Sequence, residues 1–162
     1  MDKLLQILKR NPFLTPLKLS QMLGVPAEEV KQKIATYEKE GVILGYTAIL
    51  NEEKFSGGNR ERVKAVIEVR ITPEREGGFD RTAERISQFE EVTSCFLMSG
   101  AYDILIFVEG KSLNQVASFV ARKLAALDRV QSTATHFILK TYKDHGVIMK
   151  QSTPEERMAV TP

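Results

Sequence analysis

Cys95 and His136 have the residue types of a nucleophile and its base, a thiol whose proton an imidazole could take. Each stands in a strand-like run of apolar neighbours, where a buried thiol is the ordinary reading. His136, His145 and the lone cysteine form no metal-ligand spacing, and neither a P-loop nor a dinucleotide-binding glycine motif occurs. Gly77-Gly78 is an isolated pair before a helical pattern and reads as a loop hinge in preference to an anion site. Neither metal nor cofactor is expected, and catalysis is not.

A different chemistry lies between residues 27 and 39. Val30, Ile34 and Tyr37 mark one face of a helix, which leaves Ala27, Glu28, Lys31, Gln32 and Ala35 outward and Lys33 on a flank. Gln32 suits adenine edges and Lys31 suits guanine or a phosphate. Thr36 and Lys39 suit the nucleic-acid backbone. Glu28 and Glu29 match the positive end of the helix but repel phosphates, so non-specific electrostatic binding would be poor. The same pattern serves three-helix domains that bind proteins.

The elements that must carry this face are short. Leu4, Ile7 and Leu8 keep helical spacing up to Asn11-Pro12. Thr15-Pro16 reads as an N-cap followed by proline in the first turn, leading to Leu19, Met22 and Leu23 and a stop at Gly24. Pro26 opens the third helix and Gly41 ends it. Three helices with a tight glycine-containing turn between the last two make a helix-turn-helix, winged or three-helix, and Val42 to Leu50 reads as an extended connector.

The second half has another rhythm. Val63, Ala65, Ile67, Val69 and Ile71 alternate with Lys64, Glu68 and Arg70, the period of a half-buried strand, with Val66 the exception. Phe79, Ala83 and Ile86 predict a helix. Val92 to Met98 and Tyr102 to Val108 predict a hairpin through Ser99-Gly100-Ala101. Ser112 caps a helix with Leu113, Val116, Ala117, Val120, Leu124 and Leu127 inside, and Val130 to Tyr142 supplies the last strand. The order β-α-β-β-α-β is the ferredoxin-like split unit, so the fold class is α+β.

Such a sheet carries both helices on one face. Leu105 and Phe107 alternate with Ile104, Ile106 and Val108, and Phe137, Ile138 and Leu139 are consecutive, so both faces look apolar. Large uncovered apolar patches are uncommon on monomers, and a homodimer joined through its sheets is the expected minimum. The domains are expected at 1–50 (helix-turn-helix) and 63–148 (αβ unit). A linker at 51–62 holds Gly57-Gly58, and a tail runs over 149–162.

Bulk properties exclude little. A hydrophobic share of 43% with 27% charged residues can build packed cores. Met1 to Arg10 resembles neither a signal nor a membrane segment, and one cysteine fits a reducing compartment, so a cytoplasmic protein away from the membrane is expected. The net charge is only +2. Residues 1–62 hold ten Lys/Arg and eight Asp/Glu against thirteen of each afterwards, which puts the excess with the helices.

Leu19-Ser20-Gln21-Met22-Leu23-Gly24-Val25, then Val30, Lys33-Ile34, Glu38 and Gly41-Val42-Ile43-Leu44-Gly45-Tyr46-Thr47, resemble the signature of the Lrp/AsnC transcription regulators. Ser99-Gly100-Ala101-Tyr102-Asp103 and Thr133-Ala134-Thr135-His136-Phe137 are similar to that family's hairpin and last strand, and the resemblance spans about residues 1 to 148. It implies double-stranded DNA as partner, an amino-acid effector, and homodimers often joined as an octamer, a tetramer of dimers. One departure is Lys33, where the family commonly has an arginine with bidentate geometry.

By the same resemblance the effector sits near the hairpin and last strand, which nominates Gly100, Tyr102, Asp103, Thr133 and Thr135. Gly100 would let backbone approach a ligand, Asp103 could hold an ammonium, and hydroxyls or N–H groups could receive a carboxylate. Turn and strand chemistry explains the same residues without a ligand. The rival function is an amino-acid-binding or assembly module that does not bind DNA.

Overall fold

The computed structural model describes residues 2–50, 62–73 and 78–149, and divides the chain into two compact units, Met1–Ile49 and Leu50–Pro162. The expected linker at 51–62, save Arg62, the tail at 149–162, save Met149, and Gly77 lie outside the described residues.

In the first unit the helices are α1 (Lys3–Arg10), α2 (Pro16–Leu23) and α3 (Ala27–Lys39). Their ends follow local chemistry. Asp2 caps α1 by accepting from the Leu4 N–H at 2.9 Å, and Thr15 caps α2 by accepting from Lys18 at 3.3 Å. Gly24, left-handed at φ 70°, closes α2, and Pro26 stands at the N-cap of α3, one place before the first turn. Leu4, Leu8, Leu19 and Val30 form the buried centre, flanked by Ile7, Leu14, Leu23, Val25, Ile34, Tyr37 and Ile43. The connector 43–50 carries no strand, so the described residues form the three-helix variant without a wing.

The described residues of the second unit hold a four-stranded antiparallel sheet with two helices against it, besides a short two-stranded pair. The strands of the larger sheet are β1 (Val63–Ile71), β2 (Val92–Leu97), β3 (Ile104–Gly110) and β4 (Val130–Phe137), in the spatial order β2-β3-β1-β4. The helices are α4 (Asp80–Ser87) and α5 (Leu113–Phe119), the latter running on into a π-turn at Val120–Leu124. Ala65, Ile67, Val69 and Ile71 of β1 and Ile104, Ile106 and Val108 of β3 are buried with Ile86, Val116, Phe119 and Leu124 of the helical layer. The alternation along β1 therefore marks the core face as the spacing predicts.

Three boundaries differ from expectation. The hairpin link is longer: β2 ends at Leu97 and β3 starts at Ile104, so Tyr102 and Asp103 lie in the loop, which the Met98 N–H closes on the Asp103 carbonyl at 2.8 Å. The last strand stops at Phe137, and a two-residue pair, β5 (Lys143–Asp144) and β6 (Val147–Ile148), follows. Along α5, Ser112 is the cap, but Leu113 and Ala117 are exposed and Phe119 is buried. Val116 and Phe119 stand three residues apart, so the buried stripe lies to one side of Leu113 and Ala117, and a π-turn follows it. The Ala125 N–H bonds back five residues to the Val120 carbonyl at 2.8 Å, and the extra residue carries the buried stripe from Phe119 to Leu124.

Candidate nucleic-acid interface and effector site

The third helix separates its residues as amphipathic spacing demands. Val30 is buried and Ile34 and Tyr37 pack beside it, while Glu28, Lys31, Gln32, Ala35, Thr36 and Lys39 are exposed along one stripe. Ala27, expected outward, is half-buried. The acidic first turn is partly answered within the helix, since Lys31 Nζ lies 3.3 Å from Glu28 Oε2 with both side chains in solvent. Thr36 donates its one hydroxyl proton to the Gln32 carbonyl at 2.9 Å, which leaves it only lone pairs to offer a phosphate.

Lys33 is engaged elsewhere. Its Nζ is 2.8 Å from Asp2 Oδ2, which also accepts from the Tyr37 hydroxyl at 2.5 Å. The hydrogen bonds from Lys33 and then Tyr37 hold the Asp2 carboxyl well below the usual carboxylate range, and Asp2 raises the lysine in return. Sequence reasoning passed over Asp2. An aspartate directly before a helical pattern is a cap signal, but no spacing rule links it to a lysine thirty-one positions away. Beyond α3, the Tyr46 hydroxyl donates to Glu38 at 2.9 Å and ties the connector to the last turn.

Of the effector candidates, Asp103 and Thr133 flank the last residues of β1, Thr135 pairs at its middle, and Gly100 and Tyr102 stand in the β2–β3 loop. Asp103 lies beside β1 on the β3 flank: its N–H donates to the Val69 carbonyl at 3.1 Å, and its carboxylate accepts the Ile71 N–H at 2.9 Å. On the other flank Thr133 pairs with Val69 and Thr135 with Ile67. Directly paired residues share a face, so both threonines point to the helix-covered side, where they are half-buried. Gly100 is exposed at φ 153°, a backbone angle that favours glycine, with open space where a Cβ would stand. Tyr102 is half-buried in the same loop.

The uncovered sheet face carries Val66, Leu105, Phe107 and Phe96, the last two rings edge to face at 6.2 Å between centroids. Beside them Glu68 and His136 are 3.4 Å apart. His136 pairs with Val66 on this face, whereas Cys95 pairs with Ile106 on the core face and points its Sγ to the Ala83 carbonyl at 3.8 Å. The two therefore stand on opposite sides of the sheet and form no nucleophile–base pair. Burial pushes the Cys95 thiol up, away from the reactive thiolate. Among the described residues no group of three or more His, Cys, Asp or Glu could hold a metal, and no helix is long and apolar enough to cross a membrane.

The sequence profile of the Lrp/AsnC ligand binding domain matches residues 64–148. The chain is 44% identical over 160 residues to the HTH-type transcriptional regulator YugG of Bacillus subtilis strain 168, itself uncharacterised, covering 99% of this chain and 95% of that one. It is 26% identical over 147 residues to the leucine-responsive regulatory protein of Haemophilus influenzae, covering 91% and 86%. Among solved structures, the transcriptional regulator NMB0573 of Neisseria meningitidis, crystallised with L-methionine, superposes with a TM-score of 0.65 at 28% identity over 89% of this chain and 93% of that one. This chain belongs to the Lrp/AsnC family of transcriptional regulators.

Proposed function

We propose that this protein is a sequence-specific DNA-binding transcription regulator whose DNA occupancy or assembly responds to a small effector, an amino acid. The observation that carries the first part is the exposed stripe of α3, where Lys31, Gln32 and Lys39 project from a helix anchored by Val30, Ile34 and Tyr37. A helix of this kind reaches base edges in a major groove while its back stays packed. Glu28, Ala35 and Thr36 line the same surface, and Ala27 borders it.

The effector reading rests on the loop holding Gly100, Tyr102 and Asp103, with Thr133 across the end of β1, and on NMB0573 having been crystallised with L-methionine. The uncovered face with Phe96, Leu105 and Phe107 is assigned to a homodimer packed sheet to sheet, and dimers associate further, as an octamer. Two recognition helices per dimer then address successive grooves, and an effector that favours one assembly over another changes occupancy of linked sites. The site is a binding site without catalysis, and the protein works in the cytoplasm.

A gel-shift titration tests the reading. Preference for duplex from the protein's own upstream region over random duplex at moderate salt supports it. Equal affinity for both shifts the assignment to an effector-binding or assembly module. A thermal-shift screen of the twenty amino acids tests the sensing part, because a ligand that binds only the folded state raises its stability.

A further inference from the structure

We propose that Asp2, Lys33 and Tyr37 are positioning residues of the recognition helix, a three-membered strut that sets how α3 is presented to DNA, and that Lys33 itself makes no DNA contact. This rests on the DNA-binding reading above.

The geometry is specific. Asp2 Oδ1 caps α1 through the Leu4 N–H, while Oδ2 receives both Lys33 and Tyr37. Lys33 and Tyr37 are four residues apart, one turn of α3, so a single carboxylate grips that helix at two levels from the start of α1. The apolar anchors do not provide this. Val30, Ile34 and Tyr37 rings and methyls resist separation of the helices, but packing alone permits rolling and sliding that a hydrogen-bonded clamp does not. Each acceptor oxygen is used, and the ammonium of Lys33 is turned to the α1 side of the helix, off the stripe that carries Lys31, Gln32 and Ala35.

A cation beside the interface is ordinarily assigned to a phosphate, and the two roles predict opposite results. If Lys33 touched a phosphate, removing the Asp2 charge would release it and tighten binding. If Lys33 is a strut, removing either charge loosens α3 and weakens binding.

The experiment uses the full chain and a labelled duplex from its own upstream region, with affinity measured across potassium chloride concentrations. Asp2→Asn keeps the cap, since asparagine caps as well as aspartate, and replaces the anionic acceptor of Lys33 and Tyr37 with an amide NH2. Asp2→Asn and Lys33→Met should each weaken specific binding about 5- to 10-fold, and the double variant should be no weaker than the weaker single one, as expected of partners in one interaction. The slope of log affinity against log salt should be unchanged, and Lys33→Arg should restore binding to within about 2-fold.

A slope smaller by about 0.9 per bound copy for Lys33→Met, with Asp2→Asn binding as tightly as the original or tighter, overturns the assignment. Should the variants fail to fold, amine labelling of the unaltered protein decides: slow reaction of Lys33 with and without duplex supports the strut, and protection only with duplex refutes it. If the unaltered protein shows no preference for the upstream duplex, the DNA-binding reading fails. If it shows one and the variants follow the second pattern, only the strut fails.

Discussion

The Asp103 carboxylate accepts the backbone N–H of Ile71 at 2.9 Å, just beyond the end of the β1–β3 ladder, whose last pair is Val69 with Ile104. A side-chain oxygen thus replaces the backbone carbonyl that a longer β3 would have presented. The same residue is the first candidate for an effector's ammonium group, so its substitutions must separate the two roles.

Asp103→Ala should destabilise the second unit by about 1 to 3 kcal/mol, because it leaves the Ile71 N–H without its acceptor. Asp103→Asn retains an oxygen there and should recover most of that loss. Thermal denaturation measures both. An effector response that persists in the stable Asp103→Asn protein excludes the carboxylate as the ammonium's partner, and a response lost there without loss of DNA binding supports it.

On α3, Gln32→Ala should cost about 1 to 3 kcal/mol of discrimination between the preferred duplex and one changed at the contacted base. Lys31→Ala should weaken binding while leaving the thermal midpoint nearly unchanged, since its pair with Glu28 is exposed and such pairs contribute about 0 to 1 kcal/mol. Fluorescence anisotropy with matched and altered duplexes reads both effects. Unaltered discrimination in Gln32→Ala would remove that residue from base readout.

The sheet face gives an oligomer test. Phe107→Asp places a charge among Phe96, Leu105 and Val66 on the side away from the helices, so the unit's own core is untouched. Light scattering after gel filtration should show the mass falling to that of one chain, with far-ultraviolet circular dichroism preserved. A variant that keeps the parent mass places the contact between copies elsewhere.

Glu91 supplies a pH dependence. Lys123 Nζ lies 2.6 Å from its Oε1, and that hydrogen bond, outweighing burial, holds the Glu91 carboxyl below its ordinary value. Over the interval beneath the ordinary glutamate range the unfolded chain therefore binds more protons than the folded one, and stability rises with pH there. In the other direction the same contribution is lost as pH falls through the depressed folded value, and none of it remains below. Lys123→Met removes this contribution, so its stability curve should be flatter than the parent's across that acid interval. Parallel curves from denaturant titrations at a series of acid pH values would show that the pair contributes nothing.

Much of this molecule was legible in local sequence, because caps, glycine stops and apolar periods act within a few residues. Thr15, Gly24 and Ser112 stand at the helix ends their chemistry indicates, and Val30, Ile34 and Tyr37 turn inward as 3.6-residue spacing requires. The two-residue period of β1 likewise identified its buried face. Tertiary structure decided what depends on distant partners. The π-turn that places Leu124 five residues after Phe119 on the buried side comes from fitting a helix to a sheet, which no single-helix pattern contains. Strand register alone sets Thr133 and Thr135 on the helix-covered face and His136 opposite Cys95's side. Lys33 belongs to Asp2 because folding brings the first turn of one helix to the flank of another, and charge in sequence carries no record of which neighbour will be three ångströms away.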